Sequence, residues 1–407
     1  FFHRHKFRYN DCTHIHLIDP LHYQYGILLL MSVLYGEYPP ESRCAYKATI
    51  DYIHQNPLCM RNLFTTTWAI LLLACCTTAA WSQVDVTATA GTTGPTSYST
   101  VNAAFTAINA GTHQGVITIR ITANTTEPAT PVPLLRSNSP SNYTSVTIIP
   151  SGNVTVNSAA APTTSRGIIE LVGADNVTID GDDPGTSGTR NLTFQMATTT
   201  TTGTQCIRLA SNSTTGADGA DNNTVKNCNI IGGRSSATST TTSWGILMSN
   251  STAVTTGAYS SMNTLIENNI ITRCYTGIGA IGASATYLNS GTIIRNNVLG
   301  SATSADNIGS RGILISYSAS TAGVGSATIR NNDIRVGDYG ATGYSTTIAG
   351  IEVGTVNAGL IIDRNNIHDI NQPSSGGYGA HGIYITGSTS TSGVTMTDNF
   401  IRDCKMV

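Results

Sequence analysis

Charge is scarce in this chain. Only 11% of its 407 residues are Asp, Glu, Lys or Arg, and the formal net charge is −2. That excludes a polybasic nucleic-acid binder and a strongly acidic tail. From Gln83 onward the only lysines are Lys226 and Lys405. Long apolar runs are lacking too. The run Trp68-Ala-Ile-Leu-Leu-Leu-Ala74 is shorter than the roughly 18 residues a spanning helix needs, so no transmembrane span is expected in the mature chain. No zinc-ligand spacing, phosphate-binding loop or nucleophile elbow occurs.

Few charges with much Thr, Ser, Gly and Asn could describe a disordered chain. Regularly spaced Ile and Val argue against that, because a disordered chain has no reason to keep apolar columns in register. The pattern is clearest in Ile293-Ile-Arg-Asn-Asn-Val-Leu299. It recurs at Thr224–Ile230, Leu265–Ile271, Thr328–Ile334, Ile361–Ile367 and Thr395–Ile401, in a form close to I-x-N-N-x-I. The second amide position holds Cys228, Asn269, Asn297, Asn332, Asn365 and Asn399, at steps of 41, 28, 35, 33 and 34 residues. Self-similarity at a period of about 20–50 residues marks a solenoid. A second block, G-I-x-[I/V/M], alternates with the first: Gly245-Ile246-Leu-Met248, Gly312-Ile-Leu-Ile315, Gly350-Ile-Glu-Val353 and Gly382-Ile-Tyr-Ile385. Cys206-Ile-Arg-Leu209 and Gly277-Ile-Gly-Ala280 are weaker copies.

Short segments alternating apolar and polar residues cannot bury one face alone. If the chain coils so that each lies on its counterpart one repeat earlier, like columns stack. The expected fold is all-β, a right-handed parallel β-helix solenoid over residues 116–407. Asn enters the left-handed backbone region readily, so the amide pair is expected to be a bend between two strands. Its side chains should form a ladder, Asn269, Asn297, Asn332, Asn365 and Asn399, used by the fold rather than by a ligand. Ser99–Gly111 has apolar residues at helical spacing, with Ser99 or Thr100 as N-cap and Gly111 at its end. It is expected to close one end of the solenoid within an N-terminal cap, residues 83–115.

Composition changes near residue 60. Six of the nine His and three of the nine Cys precede it. Met60-Arg61-Asn62, the apolar run and Ala80-Trp81-Ser82 read as a secretory signal peptide over 60–82. Residues 1–59 then read as a non-native upstream extension. Leu72-Leu73-Ala74-Cys75 is an alternative, lipobox-like signal. The expected location is extracellular or the outer cell surface. Val407 follows a repeat block directly, so the C-terminus is expected to be truncated. The mature part keeps Cys206, Cys228, Cys274 and Cys404. Cys274 and Cys404 share a column four repeats apart, roughly 19 Å at strand spacing, beyond disulfide reach. These thiols read as apolar filler, with a Cys206–Cys228 bridge left open.

The G-I-x-I and I-x-N-N-x-I blocks resemble the right-handed parallel β-helix repeats of the pectin-lyase-like superfamily. Asn176-Val-Thr-Ile-Asp-Gly181 and the capping helix resemble those of secreted bacterial β-helix surface proteins. The resemblance covers about residues 84–407. It implies the fold and leaves activity open, since the superfamily includes polysaccharide lyases, glycoside hydrolases, adhesins and non-catalytic tail proteins. Its hydrolases imply an Asn-Thr-Asp block, an Asp-Asp pair and a Gly-His-Gly block. This chain has Asp182-Asp183 and Gly379-Ala-His381-Gly382 but no Asn-Thr-Asp. Asp182-Asp183 precedes Pro184-Gly185 and reads as a turn.

The outward column before the amide pair holds Lys226, Glu267, Arg295, Arg330, Asp363 and Thr397. Glu267, Arg295, Arg330 and Asp363 form the candidate ligand-binding stripe. The competing reading is a solvated ladder in which Lys226 pairs Glu267 and Arg330 pairs Asp363. His381 and Tyr384 are weaker candidates. Asp218 and Asp221, in a loop of turn-formers, are a weak Ca²⁺ candidate, and no other metal or cofactor is called for. The function expected first is a secreted or cell-surface β-helix that binds glycan, or acts as adhesin or stalk, without catalysis. The alternative is a polysaccharide lyase or glycoside hydrolase acting on uronate-containing polysaccharide.

Overall fold

The computed structural model describes residues 82–406, except 187, 198–202, 213–217, 235–242, 251–256, 284–285, 317–322, 338–345, 357–358, 374–376 and 388–392. The readings of residues 1–59 and, Ser82 apart, of the signal peptide 60–82 lie outside the described residues. The chain winds into three sheets of 11, 10 and 8 strands. Sheet A includes Val177–Asp180, Thr224–Lys226, Leu265–Glu267, Thr292–Arg295, Ala327–Arg330, Leu360–Asp363 and Val394–Thr397. Sheet B includes Cys228–Ile231, Ile270–Thr272, Val298–Leu299, Asp333–Gly337 and Asn366–Gln372. Sheet C runs from Leu134–Leu135 to Ala380–Ile385. Each coil gives one strand to each sheet and pairs in parallel with the coil before it. This is a right-handed parallel β-helix.

Stacked columns supply the core. Val225, Ile266, Ile294, Ile329 and Ile362 lie in one interior column, and Ile230, Ile271, Leu299, Ile334 and Ile367 in another, all buried. A fully buried side chain of this size contributes about 1.5–3 kcal/mol. The last coil leaves the same columns open: Met396 is 48% and Ile401 44% exposed.

The amide pair divides its labour. Asn227, Asn268, Asn296 and Asn331 have φ between 54° and 57°, and Arg364 and Asp398 hold the same conformation further on. The first amide position therefore makes the left-handed bend, and the second turns inward to form the ladder. Glycine in the other block has a different purpose. A Cβ on Gly312 would stand 2.4 Å from Ile334 Cγ2 and 2.5 Å from the Gly350 carbonyl oxygen. Gly277, Gly350 and Gly382 are similarly crowded by Leu299, Ile367 and Ile401. The column is glycine because sheet C must approach the branched residues of sheet B.

The expected cap is a helix over Val101–Asn109. Thr100 is its N-cap, accepting from the Ala103 N–H, and Gly111 at its end has φ 78°. Val101, Ala104, Phe105 and Ile108 are buried. Pattern reading missed the anchor of this helix. Buried Glu127 accepts hydrogen bonds from the N–H groups of Val101 and Asn102 and from the Asn102 and Thr125 side chains. A carboxylate at a helix N-terminus satisfies donors the helix cannot. Residues 84–91 do more than cap: Val84–Gly91 joins sheet A antiparallel, between Thr96–Tyr98 and His113–Ile121.

Cys206, Cys228 and Cys274 are buried free thiols, and Cys404 is exposed. The Cys206–Cys228 bridge is not formed. Instead the Cys206 thiol meets the Ile231 carbonyl and the Cys228 thiol the Lys226 carbonyl. Burial pushes the Cys274 thiol up to about 12, as expected for an inert filler.

Candidate functional site

The ladder consumes its own amides. The Asn297 side-chain oxygen accepts both the backbone N–H and the side-chain NH₂ of Asn269, each at 3.0 Å. The Asn297 NH₂ donates to the Ile266 carbonyl and to the Asn332 side-chain oxygen. The unit repeats through Asn332, Asn365 and Asn399. Oxygen and NH₂ of each such rung are thus engaged by neighbouring coils. An outer chain of amides runs beside them, from Asn268 to Asn227 to the Asp180 carboxylate.

Strand register assembles the charged stripe on the outer face of sheet A in the order Asp180, Lys226, Glu267, Arg295, Arg330, Asp363, Thr397. The pairing differs from the expected one. Lys226 bridges back to Asp180 at 3.1 Å, and Glu267 goes forward to Arg295 at 2.6 Å. Asp363 accepts from Thr397 and pairs with Arg364, both at 2.8 Å. The hydroxyl of Thr397, then Arg364 and Arg330, hold the Asp363 carboxyl below its usual range. Sequence spacing cannot show this exchange of partners, because Arg364 belongs to the bend and not to the stripe. Among the described residues Arg330 forms no salt bridge or side-chain hydrogen bond, and its Nε is buried without a partner. Its register neighbours are like-charged Arg295, already committed to Glu267, and Asp363, already committed to Arg364.

Beside the stripe runs a second outward column: Thr118, Thr147, Thr178, Thr224, Leu265, Ile293, Thr328, Ile361, Thr395. Ile361 is 43% exposed. The open face thus offers hydroxyls and methyls next to the charged stripe.

The outer face of sheet C is different. Its outward residues are largely buried, and sequence reading did not anticipate that. Glu170 and Arg208 are both buried, and Glu170 is also held by Arg166 at 2.6 Å. Trp244, Leu247, Ile281 and Leu314 form a small apolar cluster outside the main core. Beyond it Arg311 pairs with Glu352 at 2.6 Å. Glu352 is the register partner of Tyr384. His381 and Tyr384, half-buried at the end of this sheet, stack with ring centroids 4.4 Å apart and planes 13° apart. The His381 ring also lies over Gly379, whose added Cβ would fall 2.1 Å from Nε2. Glu352 stands at the x position of G-I-x-I, but Arg311 stands before the glycine one coil earlier, in register with Ala349, so the pair crosses columns and the repeat does not signal it.

The remaining acidic candidates are engaged by backbone N–H groups or by an ion pair. Asp182 accepts from the Gly188 and Thr189 N–H groups, and Asp183 from those of Gly185 and Gly152. Those amides hold the Asp183 carboxyl below its usual range. Asp218 pairs with Arg136 at 3.2 Å, and Asp221 accepts the Met262 N–H at 2.7 Å. Among the described residues no group of three His, Cys, Asp or Glu is placed to hold a metal ion. No helix among them is long and apolar enough to cross a membrane.

Fold and surface together define a parallel β-helix whose accessible chemistry lies on outward columns. No family model and no curated protein matches the chain. The solved structures to which the chain is similar include two epimerase modules. One is the A-module of the mannuronan C-5 epimerase AlgE4 of Azotobacter vinelandii, at 10% identity and TM-score 0.31, covering 75% of this chain and 91% of that one. The other is the AlgE6 A-module of the same organism, at 10% identity and TM-score 0.28, covering 75% and 95%.

Proposed function

We propose that this is a non-catalytic, secreted or cell-surface β-helix that binds glycan on the outer face of sheet A, serving as an adhesin or stalk. One observation carries the reading. The three carboxylates of the stripe, Asp180, Glu267 and Asp363, are each closed by a cation. General acid–base hydrolysis of a glycosidic bond needs two carboxyl groups facing the bond, one of them protonated. Arg330 is the stripe residue whose donors are unspent. Its planar fork suits a sugar carboxylate or paired hydroxyls, and Thr328 and Ile361 beside it suit the less polar face of a sugar ring.

The test is binding of neutral and uronate-rich polysaccharides by calorimetry, with unsaturated products and reducing ends followed in parallel. Binding without products is expected. Arg330→Glu should weaken binding of uronate-rich chains about tenfold or more, since a hydrogen bond to a charged group is worth about 1.5–3 kcal/mol. Product formation by the wild-type chain would overturn the non-catalytic reading. A second reading, a polysaccharide lyase or hydrolase, is favoured by one feature, the Arg311–Glu352 pair adjoining the stacked His381 and Tyr384. The same product assays on Tyr384→Phe separate the two.

A further inference from the structure

Strands Asp333–Gly337 and Asn366–Gln372 of sheet B do not pair evenly. Ile334 faces Ile367 and Val336 faces Ile370, so Arg335 alone opposes both His368 and Asp369. This is a β-bulge, which re-aims side chains, and Asp369 takes the left-handed conformation there, at φ 52°. His368, at the bulge, is only 2% exposed. Its Nδ1 lies 2.9 Å from Asp369 Oδ2 and its Nε2 2.8 Å from Asp333 Oδ1, one coil back. The same Asp333 oxygen accepts from the Asn366 side chain at 2.6 Å.

An ionised carboxylate only accepts hydrogen bonds, and a neutral imidazole has one donor and one acceptor nitrogen. Both contacts are hydrogen bonds only when the ring holds both protons. The two carboxylates are 42% and 35% exposed, so water solvates their charge. The other charges facing the ring agree. Arg335 of the preceding strand reaches Asp369 at 3.4 Å. From the following turn Arg402 adds its charge near Asp369 and pairs with Asp403 at 2.7 Å. Three carboxylates then meet two guanidiniums and the ring, and the set is neutral only when the ring is charged.

We propose that His368 is a proton-gated clasp between adjacent coils. The charged ring ties Asp333 to the bulge at Asp369. Loss of one ring proton sets a nitrogen lone pair against a carboxylate oxygen and releases one of the two ties. Imidazoles change charge in the range of about pH 5–8. The tie is therefore present while the ring is charged and is lost when pH rises far enough to remove a ring proton.

The experiment uses the full chain with nitrogen-15 labelled histidine. His368 is assigned by the signal lost in His368→Gln. At about pH 6 the His368 ring should show two protonated nitrogens. Hydrogen-exchange protection of the Ile370 amide, which donates to the Asp403 carbonyl, should fall about tenfold between about pH 6 and about pH 8, after correction for intrinsic exchange. His368→Gln should lose that fall. A neutral ring tautomer at about pH 6, or an equal fall in His368→Gln, would overturn the proposal. Should that variant not fold, Asp333→Asn serves in its place, for exchange and for assignment by shift of the His368 signal. It removes one carboxylate partner and is expected to reduce the fall, and an unchanged fall would count against the clasp.

Discussion

Replacing Asn297 by Ala tests the ladder most directly. Asn297 is 1% exposed and its side chain makes four hydrogen bonds, all at 3.0 Å. Ala removes them together. The Asn332 side-chain oxygen keeps a partner, because the backbone N–H of residue 297 still reaches it. The Asn269 backbone N–H and one N–H of its side chain lose their partner inside the wall of the solenoid, where water cannot replace it. A buried polar group left unsatisfied costs about 1–3 kcal/mol, so the pair costs about 2–6 kcal/mol. A whole domain is stable by only about 5–15 kcal/mol. In a solenoid the loss also falls on one interface between coils. Urea unfolding followed by circular dichroism gives the total, and hydrogen exchange at the Asn269 amide gives the local part. Asn296→Gly is the control, since glycine takes the φ of 56° without strain and Asn296 is the bend residue. A loss below about 1 kcal/mol for Asn297→Ala, with the Asn269 amide still protected, would refute a structural ladder.

Gly312→Ala should destabilise by about 1–3 kcal/mol or more, because the methyl group must displace Ile334 or the Gly350 carbonyl; thermal melting reads this, and a neutral result would mean the two sheets are not held this close. Glu127 carries a pH signature. Burial raises its carboxyl pKa above the ordinary value, against the opposing pull of its hydrogen bonds from Asn102, Thr125 and Val101. The folded state therefore binds the proton more tightly than the unfolded one. This term favours folding below the unfolded pKa and is lost as pH rises through the folded pKa. Glu127→Gln should flatten that slope, and at neutral pH should cost about 1–3 kcal/mol by turning a donor toward the helix N–H groups; an unchanged slope in a pH series of melts would contradict the assignment.

Column structure was readable from sequence because it is local and repeated. Ile266, Ile294 and Ile329 stand at the same offset from an amide pair, and stacking follows from the period alone. The division of that pair into a bend and a rung was half legible, since Asn favours both roles. Arg364 and Asp398 adopt the bend without being Asn, which shows that the stack imposes the conformation. What stayed hidden were contacts that cross columns. Lys226 could have paired with Glu267 or Asp180 on spacing alone. Asp363 went to Arg364, a bend residue that the outward column does not contain. Glu127 lies 26 residues from the helix start it anchors, in a Pro-rich excursion with no period.

The same distinction decides where function can reside. A position dictated by the stack, such as Asn297 or Gly312, has its chemistry spent on neighbours one coil away. A position the stack leaves open is free to differ, but most such positions here are also spent, on ion pairs between coils. Arg330 differs because two adjacent coils place arginines in register and the nearest carboxylate is taken from outside the column. An unpaired donor in a column otherwise closed by ion pairs is costly to keep half-buried without a partner. That cost is recovered when an acceptor from outside the chain reaches it, which is why the glycan test is aimed at Arg330 and not at the better-paired Glu267 or Asp363.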